Sequence, residues 1–511
     1  MRTSAPRPLA VAALVCLALA CAARQAAPPA PAPPPPPPPG AGQGAPPPEP
    51  PVGEQANGGP VTVEAPHDDP PEATHTPMPG VLVSAPRARR APAARAPAPP
   101  LVDKTLRSVR LFYGTNRART DGCGGVAVAR WDGPDRCRPS AYYGGLPEEG
   151  PREGGEGLEV GTLAVTFPPD HAVGKIERPI QVFTISLRGE DPDRDVVISE
   201  LRSFADPAAW ARDLRATGRD QAFVYVHGFE TTFDQAARRA AQLAYDLDFD
   251  LDPDFRGVPM LFSWPSRGGV DAYVADYDAS FESIGAFNRF LDLVKGQAGI
   301  RRVHVIAHSM GNRVVAEALY ARGETAPPVV DQLVLAAPDI WASRFRRRFL
   351  RTLPKLAARV TLYVSDHDRA LVVSSRIRKD EPRAGQVAGG LLAASRGVER
   401  FDAIDASTLR TDFLGHSYYA NHGSMLGDIY CLLKGTPAQG RPLLAVAGTA
   451  WRFRPPQELA ALDPAACAAA LVSPPPPVAP KAAFRGGAAV VLAVVAAALV
   501  GFAVRRLRRR R

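Results

Sequence analysis

Residues 303–312 have the sequence VHVIAHSMGN, which is the strongest indication of the fold in this chain. Val303–Ala307 is a β-branched, apolar run typical of a buried strand, and Asn312–Arg322 has the length and periodicity of a helix. Ser309 lies between them, with a small residue two positions before it and another two positions after it, as a close approach of strand and helix requires. The stretch therefore predicts a sharp turn that lifts one serine hydroxyl above a sheet.

The same alternation of strand and helix patterns continues along the chain. Short runs rich in β-branched and aromatic residues predict further strands at Val109–Tyr113, Leu158–Phe167, Ile180–Ser186, Phe223–Val226, Val258–Ser263, Gln332–Ala336 and Val360–Val364. Helices are predicted at Phe233–Leu247, Ser280–Lys295 and Ser424–Lys434. This order predicts an α/β fold, with a mostly parallel sheet and helices on both of its faces. Such sheets place their functional residues at the carboxyl ends of the strands.

Ser309 is the candidate nucleophile on this turn. Its hydroxyl is expected to be open to substrate, and the backbone N–H of Met310 is expected to point into the same space. Ala307 stands where the pattern G-x-S-x-G has its first glycine, which is a difference of one methyl group. The alternative interpretation of Ser309 is a buried hydroxyl that caps the following helix.

A second turn of interest, His227-Gly228-Phe229, follows the predicted strand Phe223–Val226. A His-Gly turn supplies the second oxyanion donor in hydrolases with a serine at a strand-to-helix turn, and the expected donor is the main-chain N–H of Phe229. Gly228 allows the backbone to come close to a carbonyl oxygen. We expect His227 to hold this loop rather than to take part in catalysis.

A serine hydroxyl needs a histidine base, and the base needs a carboxylate that fixes its tautomer. Asp368, soon after the last predicted strand, is the candidate acid, with Asp339 and Asp366 as alternatives. His416 is the candidate base. His422 is the alternative base, although its position next to a predicted helix also suits a capping or surface residue.

Several motifs stand in one order with these residues: Leu111-Phe112-Tyr113-Gly114-Thr115-Asn116-Arg117, His227-Gly228-Phe229, Phe262-Ser263-Trp264-Pro265-Ser266, Ala307-His308-Ser309-Met310-Gly311, Ala337-Pro338-Asp339, Leu362-Tyr363-Val364-Ser365, Asp368-Arg369-Ala370-Leu371 and Gly415-His416-Ser417-Tyr418. Over about Val109 to Lys434 the sequence resembles a bacterial α/β-hydrolase family of unknown function that is described as esterase- or lipase-like. The resemblance implies an α/β-hydrolase fold and a triad of Ser309, Asp368 and His416, and it implies no substrate. An insertion from Asp121 to Tyr143 departs from the family pattern, and it either covers the site or decorates the surface.

The first 100 residues predict export followed by a disordered arm. Residues 1–21 have a basic start, an apolar run and the ending Ala18-Leu19-Ala20-Cys21, which together are typical of an export signal. Ala18-Leu19-Ala20 is either an ordinary signal-peptidase site that ends before Cys21 or part of a lipobox in which Cys21 is lipidated. A third alternative is that the segment is not cleaved and anchors the N-terminus. Residues 26–100 hold 26 of the 55 prolines, so the linker over 22–100 lacks the apolar surface needed for folding.

The C-terminal end predicts a membrane anchor. Residues 486–504 are uncharged and apolar, and as a helix they would be about 28 Å long, enough to cross a bilayer. Because the tail 505–511 holds six arginines, it is expected to stay in the cytoplasm. The hydrolase domain 101–470 and a Pro-rich stalk over 471–485 would then face the periplasm from a single-pass anchor in the inner membrane of a bacterial envelope. A buried core helix is the alternative for 486–504.

Charge and cysteine content restrict the partners. The formal net charge is +9, but six positive charges belong to the tail 505–511, so the remainder is close to neutral and nucleic acid is not an expected partner. An oxidising compartment permits disulfides, for which Cys123 with Cys137 and Cys431 with Cys467 are the expected pairs. No cysteine or histidine spacing typical of zinc and no phosphate-binding glycine loop is found in the sequence, so no metal or cofactor is predicted.

These features favour a membrane-anchored serine hydrolase that cleaves carboxylic esters of a small molecule or lipid through an acyl-enzyme. The alternative of another class is an envelope tether or interaction protein that keeps the fold for binding. A peptidase acting on cell-wall peptides would share the triad. Arg117 and Arg267, in loops after strands, either bind an anionic substrate group or form surface ion pairs, and surface ion pairing is the favoured interpretation.

Overall fold

The computed structural model describes most of the chain between residues 100 and 458. The described residues are 100–134, 137–147, 151–152, 155–179, 181–182, 185–186, 188–247, 257–269, 272–377, 381–409, 420, 423–441, 444–447, 450–455 and 458. The predicted signal, linker, stalk, membrane anchor and arginine-rich tail lie outside them. Within the described part of the chain, no helix has the length and apolar character of a membrane span.

Nineteen strands are described. In chain order they are β1 (Val102–Asp103), β2 (Ser108–Thr115), β3 (Arg117–Arg119), β4 (Val128–Arg130), β5 (Tyr143–Pro147), β6 (Pro151–Arg152), β7 (Gly155–Glu156), β8 (Glu159–Thr166), β9 (Gln181–Val182), β10 (Ile185–Ser186), β11 (Val197–Phe204), β12 (Gln221–Val226), β13 (Gly257–Ser263), β14 (Arg302–His308), β15 (Val330–Ala336), β16 (Ala357–Val364), β17 (Phe401–Asp405), β18 (Leu444–Ala447) and β19 (Ala450–Phe453).

Thirteen of these strands form one sheet in the order β18-β19-β17-β16-β15-β14-β12-β13-β2-β8-β11-β4, with β1 paired to β2. The eight strands from β19 to β2 in this order are parallel to their neighbours. β8, β11 and β4 continue the sheet beyond β2 with antiparallel pairing, and β18 does so beyond β19. The prediction of a mostly parallel sheet is therefore confirmed.

Helices connect the parallel strands. The α-helices described are Pro207–Ala216, Phe233–Asp246, Tyr273–Asp292, Gly311–Ala321, Ala342–Arg344, Leu353–Leu356, Arg369–Ile377, Leu391–Ala394 and Gly423–Leu433. Shorter 3-10 segments are Asp121–Cys123, Pro139–Ala141, Val387–Gly389 and Ala438–Gly440, and π-type turns are Leu293–Gln297 and Phe345–Phe349. The four helices predicted from the sequence are all present with shifted ends, and the largest shift is at the one that begins at Tyr273.

The sheet is buried on both faces. In β12, Phe223 and Tyr225 belong to one hydrophobic core, which also holds the helices Phe233–Asp246 and Gly423–Leu433. Val224, between them in the sequence, belongs to a second core that holds the helices Tyr273–Asp292 and Gly311–Ala321. Since successive strand residues point to opposite faces, strands covered on both sides are apolar throughout. This burial explains why the parallel strands were recognisable as short apolar runs.

The antiparallel edge differs from the prediction. The expected strand Ile180–Ser186 is wrong as a single element, because Gln181–Val182 and Ile185–Ser186 are two short strands that pair with each other. The strand next to β8 is instead Val197–Phe204, whose sequence VISELRSF carries four polar or charged residues among its apolar ones. A half-covered strand of this kind does not form the continuous apolar run that marks the parallel strands.

The insertion from Asp121 to Tyr143 is fixed to this edge. Its strand β4 pairs with β11, and the expected disulfide between Cys123 and Cys137 is present and buried. Cys431 is also disulfide-bonded, while Cys467 lies outside the described residues. The insertion therefore extends the sheet at its antiparallel end.

Candidate active site

Ser309 lies directly after β14, at the turn into the helix Gly311–Ala321. Its φ of 51° is a left-handed conformation that residues other than glycine rarely adopt. The Ser309 N–H donates to the Ala336 carbonyl (3.0 Å), and the Ser309 carbonyl accepts from the Asp339 N–H (3.2 Å). These bonds hold the strained turn against the last residue of the neighbouring strand β15 and against Asp339, which follows that strand. The predicted strand-to-helix turn is therefore present.

Two glycines allow this turn to touch the turn after β12. A Cβ atom at Gly311 would lie 2.3 Å from the His227 carbonyl oxygen, and a Cβ atom at Gly228 would lie 2.8 Å from the Cβ of Ser309. Both distances are shorter than any real side chain tolerates. At Gly228 the backbone after β12 therefore approaches Ser309 closely.

Strained backbone is concentrated at this edge of the sheet. Glu230 (φ 57°) follows β12 and Ala337 (φ 47°) follows β15, so three adjacent strands, β12, β14 and β15, each lead into a left-handed residue other than glycine. Such conformations cost free energy and gather at sites where geometry is used for function. This edge is the one that the sequence predicted to carry the functional residues.

The two predicted oxyanion donors lie on these touching turns. Among the described residues, neither the Phe229 N–H nor the Met310 N–H donates a hydrogen bond to a protein group. Met310 is fully buried, while the partly buried ring of Phe229 packs edge-on against Tyr273 at 5.1 Å between centroids. Two N–H groups without a protein acceptor, on adjoining turns, are what an oxyanion hole requires.

His227 is fully buried within the loop that it was expected to hold. Its ring stacks on Trp264, whose Nε1–H donates to the His227 carbonyl (2.7 Å). Its Nε2 lies 3.2 Å from Nη2 of Arg117, and because a guanidinium only donates, this Nε2 is an acceptor. The ring proton is therefore on Nδ1, which donates to the Gly228 carbonyl (2.8 Å). Burial, and after it the charge of Arg117, holds the pKa of His227 well below its usual range.

The expectation that Arg117 forms an ion pair at the surface is wrong, because its side chain is buried. It is 1 % exposed, and its five N–H groups all have acceptors. Nε donates to Ser263 Oγ (2.8 Å), Nη1 donates to the carbonyls of Gly144 (3.0 Å) and Ser266 (2.7 Å), and Nη2 donates to His227 Nε2 and the Thr231 carbonyl (2.8 Å). Burial lowers the pKa of Arg117 to about 9, so the group stays charged at neutral pH.

Asp276, which was not predicted as a site residue, interacts with the charge of Arg117 without forming a hydrogen bond to it. It is fully buried, and it accepts from Ser266 Oγ (2.6 Å) and from the Arg267 N–H (3.0 Å). Burial raises the pKa of Asp276, and the charge of Arg117 opposes that rise. The Arg267 guanidinium is exposed, and only its backbone takes part in this network.

Asp339, one of the alternative acids, is buried in a network of its own. Tyr273 Oη donates to its Oδ2 (2.8 Å) and Ser374 Oγ donates to its Oδ1 (2.6 Å). Nε of Arg383 lies 3.1 Å from the same Oδ1, at ion-pair distance but outside hydrogen-bond geometry. Burial, and then the charge of Asp339, raises the pKa of Tyr273. Both carboxylate oxygens therefore already have donors from the fold.

Asp368 and Asp366 follow β16 in very different environments. Asp368 is 1 % exposed, and its Oδ1 accepts from the Leu371 N–H (3.0 Å), which belongs to the first turn of the next helix. Asp366 has a side chain that is 56 % exposed, and it pairs at 3.3 Å with His367, whose side chain is 40 % exposed. Of these two acids, Asp368 is the one that the fold buries and orients.

The two candidate bases, His416 and His422, lie outside the described residues. Ala420 between them is described and buried, and its carbonyl accepts from Gln242 Nε2 (3.2 Å). The same Nε2 also donates to Asp246 Oδ2 (2.5 Å), so Ala420 is bound to the helix Phe233–Asp246.

Six polar side chains that support the site were not predicted from the sequence. They are Ser263, Ser266, Tyr273, Asp276, Ser374 and Arg383. The serines after β13 belong to the motif Phe262-Ser263-Trp264-Pro265-Ser266, so their position after a strand was a usable signal, whereas their contact with Arg117 depends on tertiary packing. Among the described residues, no group of three or more histidine, cysteine, aspartate or glutamate side chains could hold a metal ion.

Comparison with known proteins gives a family and distant structural neighbours. Residues 203–433 match the family model described as "Alpha/beta hydrolase of unknown function (DUF900)". No curated protein matches the chain. Similar solved structures include an esterase from Pyrobaculum calidifontis, with 15 % identity over 42 % of this chain and 77 % of that one and a TM-score of 0.24. Phospholipase PlaB from Legionella pneumophila shares 12 % identity over 40 % of this chain and 43 % of its own length, with a TM-score of 0.22.

The family match includes the turn after β12, Ser309 and Asp368, and it confirms the resemblance inferred from the motifs. The mostly parallel sheet, covered by helices on both faces, is the fold that this match implies. Residues 203–433 are therefore similar to this alpha/beta hydrolase family of unknown function.

Proposed function

We propose that the protein is a serine hydrolase that cleaves carboxylic esters of a small molecule or lipid. The observation that carries the proposal is the left-handed Ser309, held at the end of β14 in contact with the turn after β12. A serine in this conformation presents its hydroxyl at the sheet edge beside two backbone N–H groups that have no protein acceptor among the described residues. This arrangement suits attack on a carbonyl carbon better than it suits the capping of a helix.

In the proposed reaction, His416 removes the proton of Ser309 Oγ as that oxygen attacks the ester carbonyl carbon. The N–H groups of Phe229 and Met310 bind the resulting oxyanion, and Asp368 keeps the histidine in the required tautomer. His416 then gives the proton to the leaving alcohol oxygen as the C–O bond breaks. Water, deprotonated by the same histidine, releases the acid from the serine.

The test is labelling of the full chain in detergent with a fluorophosphonate, a reagent that phosphonylates activated serines. Labelling is expected in the wild type and is expected to disappear in Ser309→Ala. Ser199→Ala, on the distant strand β11, is the matched control and should keep its label. A folded wild type that takes no label would contradict the proposal and favour a binding role for the fold.

We further propose that residues 486–504 anchor this hydrolase in the inner membrane, with the domain 101–470 in the periplasm. The support is the uncharged 19-residue run followed by six arginines, together with the export-type N-terminus. External protease added to spheroplasts should degrade the domain and spare the tail 505–511. A domain that resists protease until the membrane is lysed would refute this topology.

A further inference from the structure

The loop that carries the first oxyanion donor is short and is fixed at both of its ends. It runs from His227, directly after β12, to Thr231, directly before the capping residue of the helix Phe233–Asp246. Phe229 lies at its centre. We call residues 227–231 the oxyanion loop.

A single nitrogen atom joins the two ends of the oxyanion loop. Nη2 of Arg117 donates one hydrogen bond to His227 Nε2 (3.2 Å) and the other to the Thr231 carbonyl (2.8 Å). These two acceptors are four residues apart, with Gly228, Phe229 and the left-handed Glu230 between them. The span of the loop is therefore set by the geometry of one guanidinium.

The guanidinium is itself immobile. Its remaining three N–H groups bind Ser263 Oγ and the carbonyls of Gly144 and Ser266, which lie on or after β13 and in β5. Ser266 Oγ in turn accepts from the Thr231 N–H (3.1 Å) and donates to Asp276 (2.6 Å). Arg117 and Ser266 thus hold Thr231 by its carbonyl and its N–H group respectively.

We infer that Arg117 is a positioning residue that fixes the Phe229 N–H of the oxyanion loop for transition-state binding. The inference rests on the proposed function, since it assigns a role in the same reaction. An ammonium group has three donors on one atom at the end of a flexible chain, whereas the guanidinium has five in a rigid plane. Lysine at this position would keep the charge but would not hold both ends of the loop together with β13 and β5.

The test compares full-length Arg117→Lys with Arg238→Lys. Arg238 is the matched control, because it is equally buried and pairs with Asp234 and Glu190, neither of which belongs to the oxyanion loop. Arg117→Lys should lower both the fluorophosphonate labelling rate and kcat for a nitrophenyl ester by about tenfold to a hundredfold, with KM changed less than threefold. Arg238→Lys should lower the melting temperature and leave both rates within about twofold per folded molecule.

Chemical rescue separates positioning from general stability. Arg117→Ala should lose most of its labelling rate, and added methylguanidinium should restore it at least several-fold, while methylammonium should not. If Arg117→Ala does not fold, Ser266→Ala tests the same loop through the Thr231 N–H and should slow labelling about tenfold. If the wild type is labelled and Arg117→Lys is labelled at the same rate, this inference is wrong but the proposed function stands. If the wild type is not labelled, the proposed function and this inference are both wrong.

Discussion

Two buried carboxylates follow the neighbouring strands β15 and β16, and the fold treats them differently. Asp339 is surrounded by the hydroxyls of Tyr273 and Ser374 and by the guanidinium of Arg383. Asp368 is equally buried, and a backbone N–H from the first turn of its own helix sets its orientation. Burial alone therefore does not distinguish a structural acid from a catalytic one.

The donors that surround a carboxylate decide which role it can have. A carboxylate whose two oxygens are bound by fixed donors of the fold is stabilised where it is, and it has little capacity left to orient an imidazole. On this ground we assign Asp339 to the packing of the helices Tyr273–Asp292 and Arg369–Ile377. Asp368, the candidate acid predicted from the sequence, remains our proposal for the triad acid.

The largest expected effect is that of Asp368→Asn. Loss of the carboxylate should leave the histidine base in the wrong tautomer and lower kcat by about 10³- to 10⁴-fold. Because Asn keeps an acceptor for the Leu371 N–H, the melting temperature should change by only a few degrees. Ester hydrolysis and thermal unfolding of the same sample check both expectations, and near-normal turnover would remove Asp368 from the triad.

Asp339→Asn should have the opposite profile. It leaves the buried Arg383 without its carboxylate and weakens the bonds from Tyr273 and Ser374, so the free energy of unfolding should fall by about 3 kcal/mol. At a temperature where the variant is folded, kcat should remain within a few-fold of the wild type. Urea unfolding combined with ester hydrolysis measures both quantities. A stable variant without activity would exchange the roles of the two acids.

A third buried acid, Asp246, also has a side-chain partner, His171, and the charge of this partner depends on pH. His171 contacts Asp246 (3.0 Å) and Glu177 (2.8 Å). Burial lowers the pKa of His171, but these two acids outweigh burial and raise the pKa to about 9. Since this folded-state pKa lies above the usual 6.5, the stabilisation is complete below about pH 6.5 and is lost as the pH rises through 9. It amounts to about 3 kcal/mol at most.

Urea unfolding of the wild type between pH 6 and pH 10 should show this loss of stability. His171→Gln should be less stable at pH 6 and should lack most of the dependence between pH 7 and pH 9. Equal slopes for the two proteins would show that His171 is not held in its charged form.

The smallest expected effect is that of Asp366→Asn. The side chain is 56 % exposed, and its contact with His367 is open to solvent, where such pairs contribute little. Stability should change by less than about 0.5 kcal/mol and kcat by less than twofold. A large loss of activity here would mean that the loop after β16 rearranges to bring Asp366 to the serine.

The sequence predicted the parallel half of the fold well. Strands such as Val303–Ala307 and Phe223–Val226 are buried on both faces, and such strands form short apolar runs in the sequence. The strand Phe401–Asp405 was not predicted, because FDAID is short and carries two acids. The hairpin Leu444–Ala447 and Ala450–Phe453 was missed as well.

The turn at Ser309 was predictable because a strand, a small residue, a serine and a helix are consecutive in sequence. The environments of Arg117 and Asp339 were not, because their partners are distant in sequence: Arg117 binds Ser263, 146 residues away, and Asp339 binds Tyr273, 66 residues away. An isolated arginine predicts an exposed side chain, since its burial requires several acceptors gathered by the fold. Residue type therefore identified candidate residues at this edge of the sheet, and only the packing showed which groups each of them contacts.

The contact between Gly228 and Ser309 has a consequence for how the site can change. A Cβ atom at Gly228 or at Gly311 would collide with the opposite turn, so neither turn can move without displacing the other. The two proposed oxyanion donors, one on each turn, therefore behave as one rigid part with a fixed spacing. New substrates would have to be accommodated by the surrounding loops, because the distance between these donors is already determined by backbone touching backbone.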